Sequence, residues 1–444
     1  MTSSTPWLVR PEPAIARSGR LYFLHIPKTA GITFGRFLQN HYTFADTLLV
    51  DEWKARELPR HEVCRHSLFS GHYSSEVLDA MGERPVIVTL IRDPLTRFDS
   101  WSAHCRRVSH RKYSDMFEGR TDLEVLAGPN GYACRQAHWL ARGLRTGAAD
   151  TSVPTAADLP GLLDEVDLVG ITCEVERLMQ LVSYHMGWPP PPRGWHVNQR
   201  PAQQSGTAAN PRSDAEEQEI RRQLCGDTEL YELARERFWT SYARMLDTLS
   251  PDGTTFTACT AAAVPLETVQ GWLRARYIDE VAATFPRPVT DVEVSADNAL
   301  CGEGWWWRSG WATLDDRWTG PENRSSWYLP QLAPGRTYQL TIEVLASAGR
   351  VAWDGAAIEV NGVALPVVRH HAPPAVERGA SLKLTATLTP KIVSRQQRVT
   401  RVIVEVPETL QHLKDEVVCE SFDTYHNDLR SVGLAVQRLT IHQV

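Results

Sequence analysis

The 444-residue sequence lacks any run of about 18 consecutive apolar residues, the length that a membrane-spanning helix needs, so no span is expected. Its first twenty residues lack the apolar core of a secretory signal, and the expected compartment is therefore the cytoplasm. It also has no basic block. Lys and Arg total 47 against 53 Asp and Glu, a net charge of −6, and nucleic acid is not expected as a partner. Eight cysteines (64, 105, 134, 173, 225, 259, 301 and 419) lie far apart without a C-x-x-C pair, which argues against a metal knuckle and a disulfide framework alike. Reduced thiols and no metal are the expectation. What remains, at 42% hydrophobic and 23% charged residues, is the composition of a soluble globular protein with room for two or three domains.

The texture changes near residue 250. Upstream, β-rich runs alternate with amphipathic stretches: LYFLHI (21–26) then TFGRFLQNHY, HSLF (66–69) then SSEVLDAMG, PVIVTLI (85–91) then a helix from Pro94, and VDLVGI (166–171) then VERLMQLVSYHMG. Such alternation predicts an α/β fold with a mostly parallel sheet covered on both faces. A helix pair over 213–246, with Ser213 and Asp214 as N-cap candidates, closes that domain. Beyond Pro286, six short β runs from DVEVSA to GLAVQRLTIHQV, separated by turn residues, predict a sandwich or jelly roll. The expected organisation is a tail (1–19), an α/β domain (20–249), a join (250–285) made of a flexible linker over 250–265 and a short helix from Glu267 to Thr284, and a β domain (286–444).

The sharpest motif is LYFLHIPKTAGITFGRFL (21–38), a strand entering a tight turn and then a helix. The amides of Thr29, Ala30, Gly31, Ile32 and Thr33 and the positive helix end would face an anion there; Gly31 permits close backbone approach, and Lys28 adds a charge. A Walker A loop is absent, because the lysine precedes the glycine instead of following it, and an ATPase or kinase reading loses its main support.

The second motif is PVIVTLIRDPLTRFDSWSAH (85–104). Asp93 and Pro94 make an N-cap and N1 pair, whereas Arg92 at the strand's carboxyl end and Ser100 about two turns into the helix suit a second phosphate. Arg97 would join them, or be an ordinary ion-paired helix arginine. The bland alternatives are an ion pair of Arg92 with Asp93 or Asp99, and a packing role for Ser100.

Together, HIPKTAGIT resembles the 5′-phosphosulfate loop, and IRDPLTRFDS the 3′-phosphate element (R-D-P-x-x-R-x-x-S), of carbohydrate sulfotransferases that use 3′-phosphoadenosine 5′-phosphosulfate (PAPS). The heparan sulfate 2-O and 6-O enzymes and their bacterial relatives are the nearest group. Weaker matches are VGITCEVERLMQLV, with Cys173 inserted before Glu174, HVN at 196–198, and DTELYELARERF. The resemblance covers roughly residues 20–245. It implies PAPS as co-substrate with product PAP, a glycan or glycoconjugate hydroxyl as acceptor, Asn198 as a contact, and a histidine general base in a G-H context. FSGHYSSEV makes His72 that base, with His61, His66 and His104 as rivals, and histidine's ordinary pKa near 6.5 suits the role. Other enzymes or classes in view are a nucleotide-dependent phosphotransferase and an inactive glycan-binding scaffold.

Seven of fifteen tryptophans fall in the β region, at 305–307, 311, 318, 327 and 353. They either form a core or stack on sugar rings. The run GWWWRSGWATLDDRWTGPENRSSWYLP resembles a β domain appended to bacterial glycan-synthesis enzymes.

Overall fold

The computed structural model describes residues 19–48, 50, 52–107, 115–145, 153–195, 212–285, 288–308, 316–347, 350–370, 382–411 and 431–444. The N-terminal half is built on five parallel strands: β1 (Leu21–Leu24), β2 (Thr47–Leu48), β3 (Leu68–Gly71), β4 (Val86–Ile91) and β5 (Leu168–Ile171), in the order β2-β3-β1-β4-β5. Every residue of β1, β4 and β5 is buried, which is why these strands read as continuous apolar runs without alternation. The sheet register aligns Leu24 of β1 with Gly71 of β3 and with Thr89 of β4. β1 is therefore flanked by two strands whose chain continues from the same edge, where open α/β sheets bind ligands.

The flanking helices start where their caps predict. Asp93 Oδ1 accepts from the Thr96 amide at 2.9 Å ahead of the Pro94–Arg107 helix. Ser213, not Asp214, caps the Asp214–Gln223 helix in a reciprocal box with Glu216. The Cys225–Leu249 helix follows and packs on β5 and the Val175–Met186 helix.

The C-terminal half consists of antiparallel sheets. A five-stranded sheet is centred on Thr400–Glu405, and a seven-stranded one on Tyr338–Ser347 and Leu434–Gln443. Trp327, Ile358 and Val402 from the first and Leu340, Leu384 and Leu439 from the second share one core between them.

One expectation about the join is corrected. The segment after residue 250 is not a flexible linker: it carries the helix Ala258–Ala263, capped by Thr257, and Arg177 donates to the carbonyls of Val264 (3.0 Å) and Ala262 (3.1 Å). The helix expected from Glu267 to Thr284 is present, beginning one residue earlier. Leu266–Thr284 runs 19 residues, receives a bond from Gln180 at Leu266 O (2.9 Å), and pairs Arg274 with Glu303 in the β half at 2.5 and 2.8 Å. The halves also share apolar contacts: Trp306, Trp307 and Trp318 belong to the same buried cluster as the α/β core. Small polar residues look like a tether in one dimension and become a packed bracket once both partners are folded. Among the described residues, no helix is long and apolar enough to cross a membrane.

Candidate functional site

Three predicted residues follow three adjacent strand ends. Lys28 lies in the loop after β1, His72 directly after β3, and Arg92 directly after β4. The loop 25–30 links β1 to α1 (Gly31–Gln39) and holds two non-glycine residues in the left-handed region, Lys28 (φ 71°) and Ala30 (φ 64°). Each costs about 1–2 kcal/mol, so the surroundings must impose them. They do so through the loop's carbonyls: Arg92 Nη1 donates to Lys28 O at 3.1 Å, Arg97 Nε to Pro27 O at 3.0 Å, and Thr29 Oγ1 to Ile26 O at 2.8 Å. The left-handed Ala30 followed by helical Gly31 is the backbone pattern of an anion-binding concavity at the positive end of a nine-residue helix.

The individual loop residues divide by exposure. Thr29 is fully buried and its hydroxyl is used within the loop. Ile32, by contrast, is 36% exposed. Thr33 is buried, and its carbonyl accepts from Trp195 Nε1 at 3.0 Å. Gly31 has a packing role within its own loop. A Cβ there would lie 1.8 Å from Nε2 of His25, so the glycine makes room for an imidazole of the same loop.

His25 was not singled out by the sequence reading, although it opens HIPKTAGIT. Its ring lies 4.2 Å, centroid to centroid, from that of His72 and stacks on Phe23 at 5.2 Å. Burial, then the neighbouring His72 and Lys28, hold its pKa well below the ordinary 6.5. Its carbonyl lies 2.5 Å from His72 Nδ1. His72 itself is exposed, with Trp139 6.0 Å away as a wall. Of its rivals, His66 is half-buried and bonds Ala45 O at 3.2 Å, His61 lies 3.6 Å from Glu62, and His104 packs 6.4 Å from Trp101.

Arg92 is anchored through its backbone. Gln136 accepts from its amide (2.9 Å) and donates to its carbonyl (2.7 Å), while Asp227, buried, accepts from the amides of Gln136 (2.7 Å) and Ala137 (3.0 Å). Burial pushes the Asp227 carboxyl up, opposed by those two amides and by Arg97. Asp227 opens the DTELYELARERF match, and the structure makes it a helix cap; nothing in a linear sequence marks the helix it caps. The ion-pair alternative for Asp99 goes to Arg212, at 2.5 Å.

Arg97 departs from the expectation of a phosphate ligand. It is fully buried, with Nε on Pro27 O and Nη1 on Cys134 O at 2.5 Å, under the Trp101 ring at 5.4 Å. Ser100 is half-buried on the Pro94–Arg107 helix. Asn198, with His196, lies outside the described residues. Among the described residues, no group of three or more His, Cys, Asp or Glu side chains is placed to hold a metal ion.

Of the two readings of the β-half tryptophans, the structure supports the core, with Trp311 outside the described residues. The six described ones are between 1% and 8% exposed, so they are core; Trp306 lies 4.5 Å from Trp195, and Trp305 4.3 Å from Trp327.

No protein family and no curated protein matches the chain. Among solved structures, a family GH115 4-O-methyl-α-glucuronidase with specificity for decorated arabinogalactans is similar at a TM-score of 0.22 and 10% identity. The likeness covers 87% of this chain and 60% of that one, so the chain spans less than two thirds of that protein's length. At that score it bears on neither fold nor function.

Proposed function

We propose that the chain is a PAPS-dependent sulfotransferase acting on a hydroxyl of a glycan or glycoconjugate, its N-terminal half of the sulfotransferase type. The observation that carries this reading is the convergence of Lys28, His72 and Arg92 at the carboxyl ends of β1, β3 and β4, around a loop that holds Lys28 and Ala30 in the left-handed region. The loop fits a phosphate ester: α1 contributes its positive end, and Lys28 a formal charge. Lys28 and the amides of Thr29, Ala30, Gly31, Ile32 and Thr33 would hold the 5′ side, and Arg92 with Ser100 the 3′-phosphate. When bound, PAPS supplies a sulfuryl group on a phosphate leaving group.

The chain's own residues do the rest. His72 Nε2 takes the proton of the acceptor hydroxyl. Lys28 and the loop amides stabilise negative charge that grows on the leaving side. Trp139, beside His72, limits water on that face. Positioning and fixed charge supply most of the acceleration.

The test is ligand-dependent melting of the full chain. PAP at a hundredfold excess over its dissociation constant adds about 2.7 kcal/mol, and ATP at the same concentration far less, because ATP has no 3′-phosphate for Arg92 and Ser100. Equal shifts with both nucleotides would favour the phosphotransferase reading instead. PAP binding without sulfuryl transfer to any glycan hydroxyl would favour an inactive scaffold.

A further inference from the structure

Arg97 occupies a position that neither a phosphate ligand nor a surface arginine would take. Its side chain is fully buried, its own amide is fixed to Asp93 O at 2.9 Å, and Nη2 is sealed from solvent without a partner among the described residues. Two of its groups are committed to main-chain carbonyls: Nε to Pro27 O and Nη1 to Cys134 O. Arg92 makes the matching contact one residue on, from Nη1 to Lys28 O. The two arginines thus grip consecutive carbonyls of the loop.

The consequence follows from peptide geometry. In a trans peptide the carbonyl and the N–H of the same planar unit point in opposite directions. Drawing Pro27 O toward Arg97 turns the Lys28 amide the other way, and drawing Lys28 O toward Arg92 does the same to the Thr29 amide. A left-handed Lys28 accommodates this, and a non-glycine residue stays there only while something holds it.

We propose that Arg97 is a positioning residue: acting through the Pro27 carbonyl, it holds the Lys28–Gly31 backbone in its anion-binding shape and does not itself touch the nucleotide. This rests on the sulfotransferase reading for the identity of the ligand, though not for the shape of the loop. A buried guanidinium suits the task because it stays charged and its planar fork can address two carbonyls at once. Lysine, with one ammonium, cannot reproduce both contacts in the same plane.

The experiment compares the full-length wild type with Arg97→Lys and Arg97→Met, the second removing the buried charge while keeping an unbranched side chain. Calorimetric titrations use three probes: PAP, 5′-AMP, which has only the loop-side phosphate, and 3′-AMP, which has only the other. Hydrogen exchange of residues 28–31 is measured in the free protein. The expected result is a roughly tenfold loss for PAP and 5′-AMP, the worth of about one charge-assisted hydrogen bond, with 3′-AMP changed less than about twofold. Exchange should rise in 28–31 while the β5 amides stay protected.

A loss confined to 3′-AMP and PAP would overturn the proposal in favour of direct contact with the 3′-phosphate. Equal losses for all three probes with a general rise in exchange would overturn it in favour of a core role. Unchanged affinity and exchange would overturn it outright. Should the wild type bind none of the probes, the nucleotide reading fails, and the exchange of 28–31 alone decides Arg97: faster in either variant supports the proposal, unchanged refutes it.

Discussion

The Nδ1 atom of His72 donates to the backbone carbonyl of His25 at 2.5 Å. A carbonyl oxygen only accepts, so in the neutral ring Nδ1 carries the proton and Nε2 holds the lone pair. This gives the proposed base its tautomer through a main-chain atom, whatever side chain stands at position 25. It also ties the base to the loop that carries Lys28.

His72→Ala is expected to leave PAP affinity nearly unchanged while transfer falls by about 10²- to 10⁴-fold, the range of a general base. His66→Ala, on a half-buried ring bonded to Ala45 O, is the control and should retain full turnover. Steady-state rates with any verified acceptor decide it; an active His72→Ala with a dead His66→Ala removes the assignment.

Lys28 combines a charge with a strained backbone, and two substitutions separate these. Both Lys28→Ala and Lys28→Gly should lose about 100-fold in turnover, by analogy with the loss of an oxyanion donor. Lys28→Gly should nonetheless be the more stable of the two by about 1 kcal/mol, because glycine has no Cβ penalty at φ 71°. Chemical denaturation of the pair checks this. Equal stabilities would mean the loop relaxes to another conformation when the lysine goes.

Gly31 and His25 should behave as a coupled pair. A Cβ at Gly31 would collide with the His25 ring, so Gly31→Ala is expected to destabilise by about 1–3 kcal/mol. His25→Ala opens that space, and the double variant should be less destabilised than the sum of the singles by about 1 kcal/mol or more. Strict additivity in the double-mutant cycle would show that the ring can swing away at no cost.

Acid sensitivity follows from the same ring. Burial lowers the pKa of His25 well below 6.5, so as pH falls beneath 6.5 the unfolded chain takes up a proton before the folded one does. Stability from this group is therefore complete above 6.5 and is lost as pH drops toward the lowered folded value. Denaturant midpoints at pH 7.5 and 5.5 should differ more for the wild type than for His25→Gln. Identical pH dependence in the two proteins would mean that the imidazole titrates alike in the folded and the unfolded chain.

A chain ending at Leu249 is expected to aggregate, in contrast to the soluble fragment that the composition of 250–265 leads one to expect. The cut removes Trp306, Trp307 and Trp318, which share a buried cluster with the α/β core, and leaves Trp195 without its neighbour at 4.5 Å. It also removes Trp305, whose carbonyl accepts from Asn40 Nδ2 at 2.8 Å just past the end of α1. A soluble monomeric fragment with wild-type PAP affinity would show that the halves are separable.

What the sequence by itself determined is local. Continuous apolar runs such as PVIVTLI mark strands buried on both faces, Asp93-Pro94 and Ser213 mark helix starts, and the candidates Lys28, His72 and Arg92 follow their strands within four residues, which put them within reach of linear reading. Tertiary structure alone decided the rest, because it depends on contacts between residues far apart in the chain. The His72–His25 bond spans 47 residues, Arg97 to Pro27 spans 70, and Gln136 to Asp227 spans 91. A helix arginine looks the same in sequence whether it faces water or grips a buried carbonyl; burial is set by what folds over it. The tryptophans followed the same logic: their abundance was visible, but whether they meet a sugar or each other was decided by the second sheet and by α1.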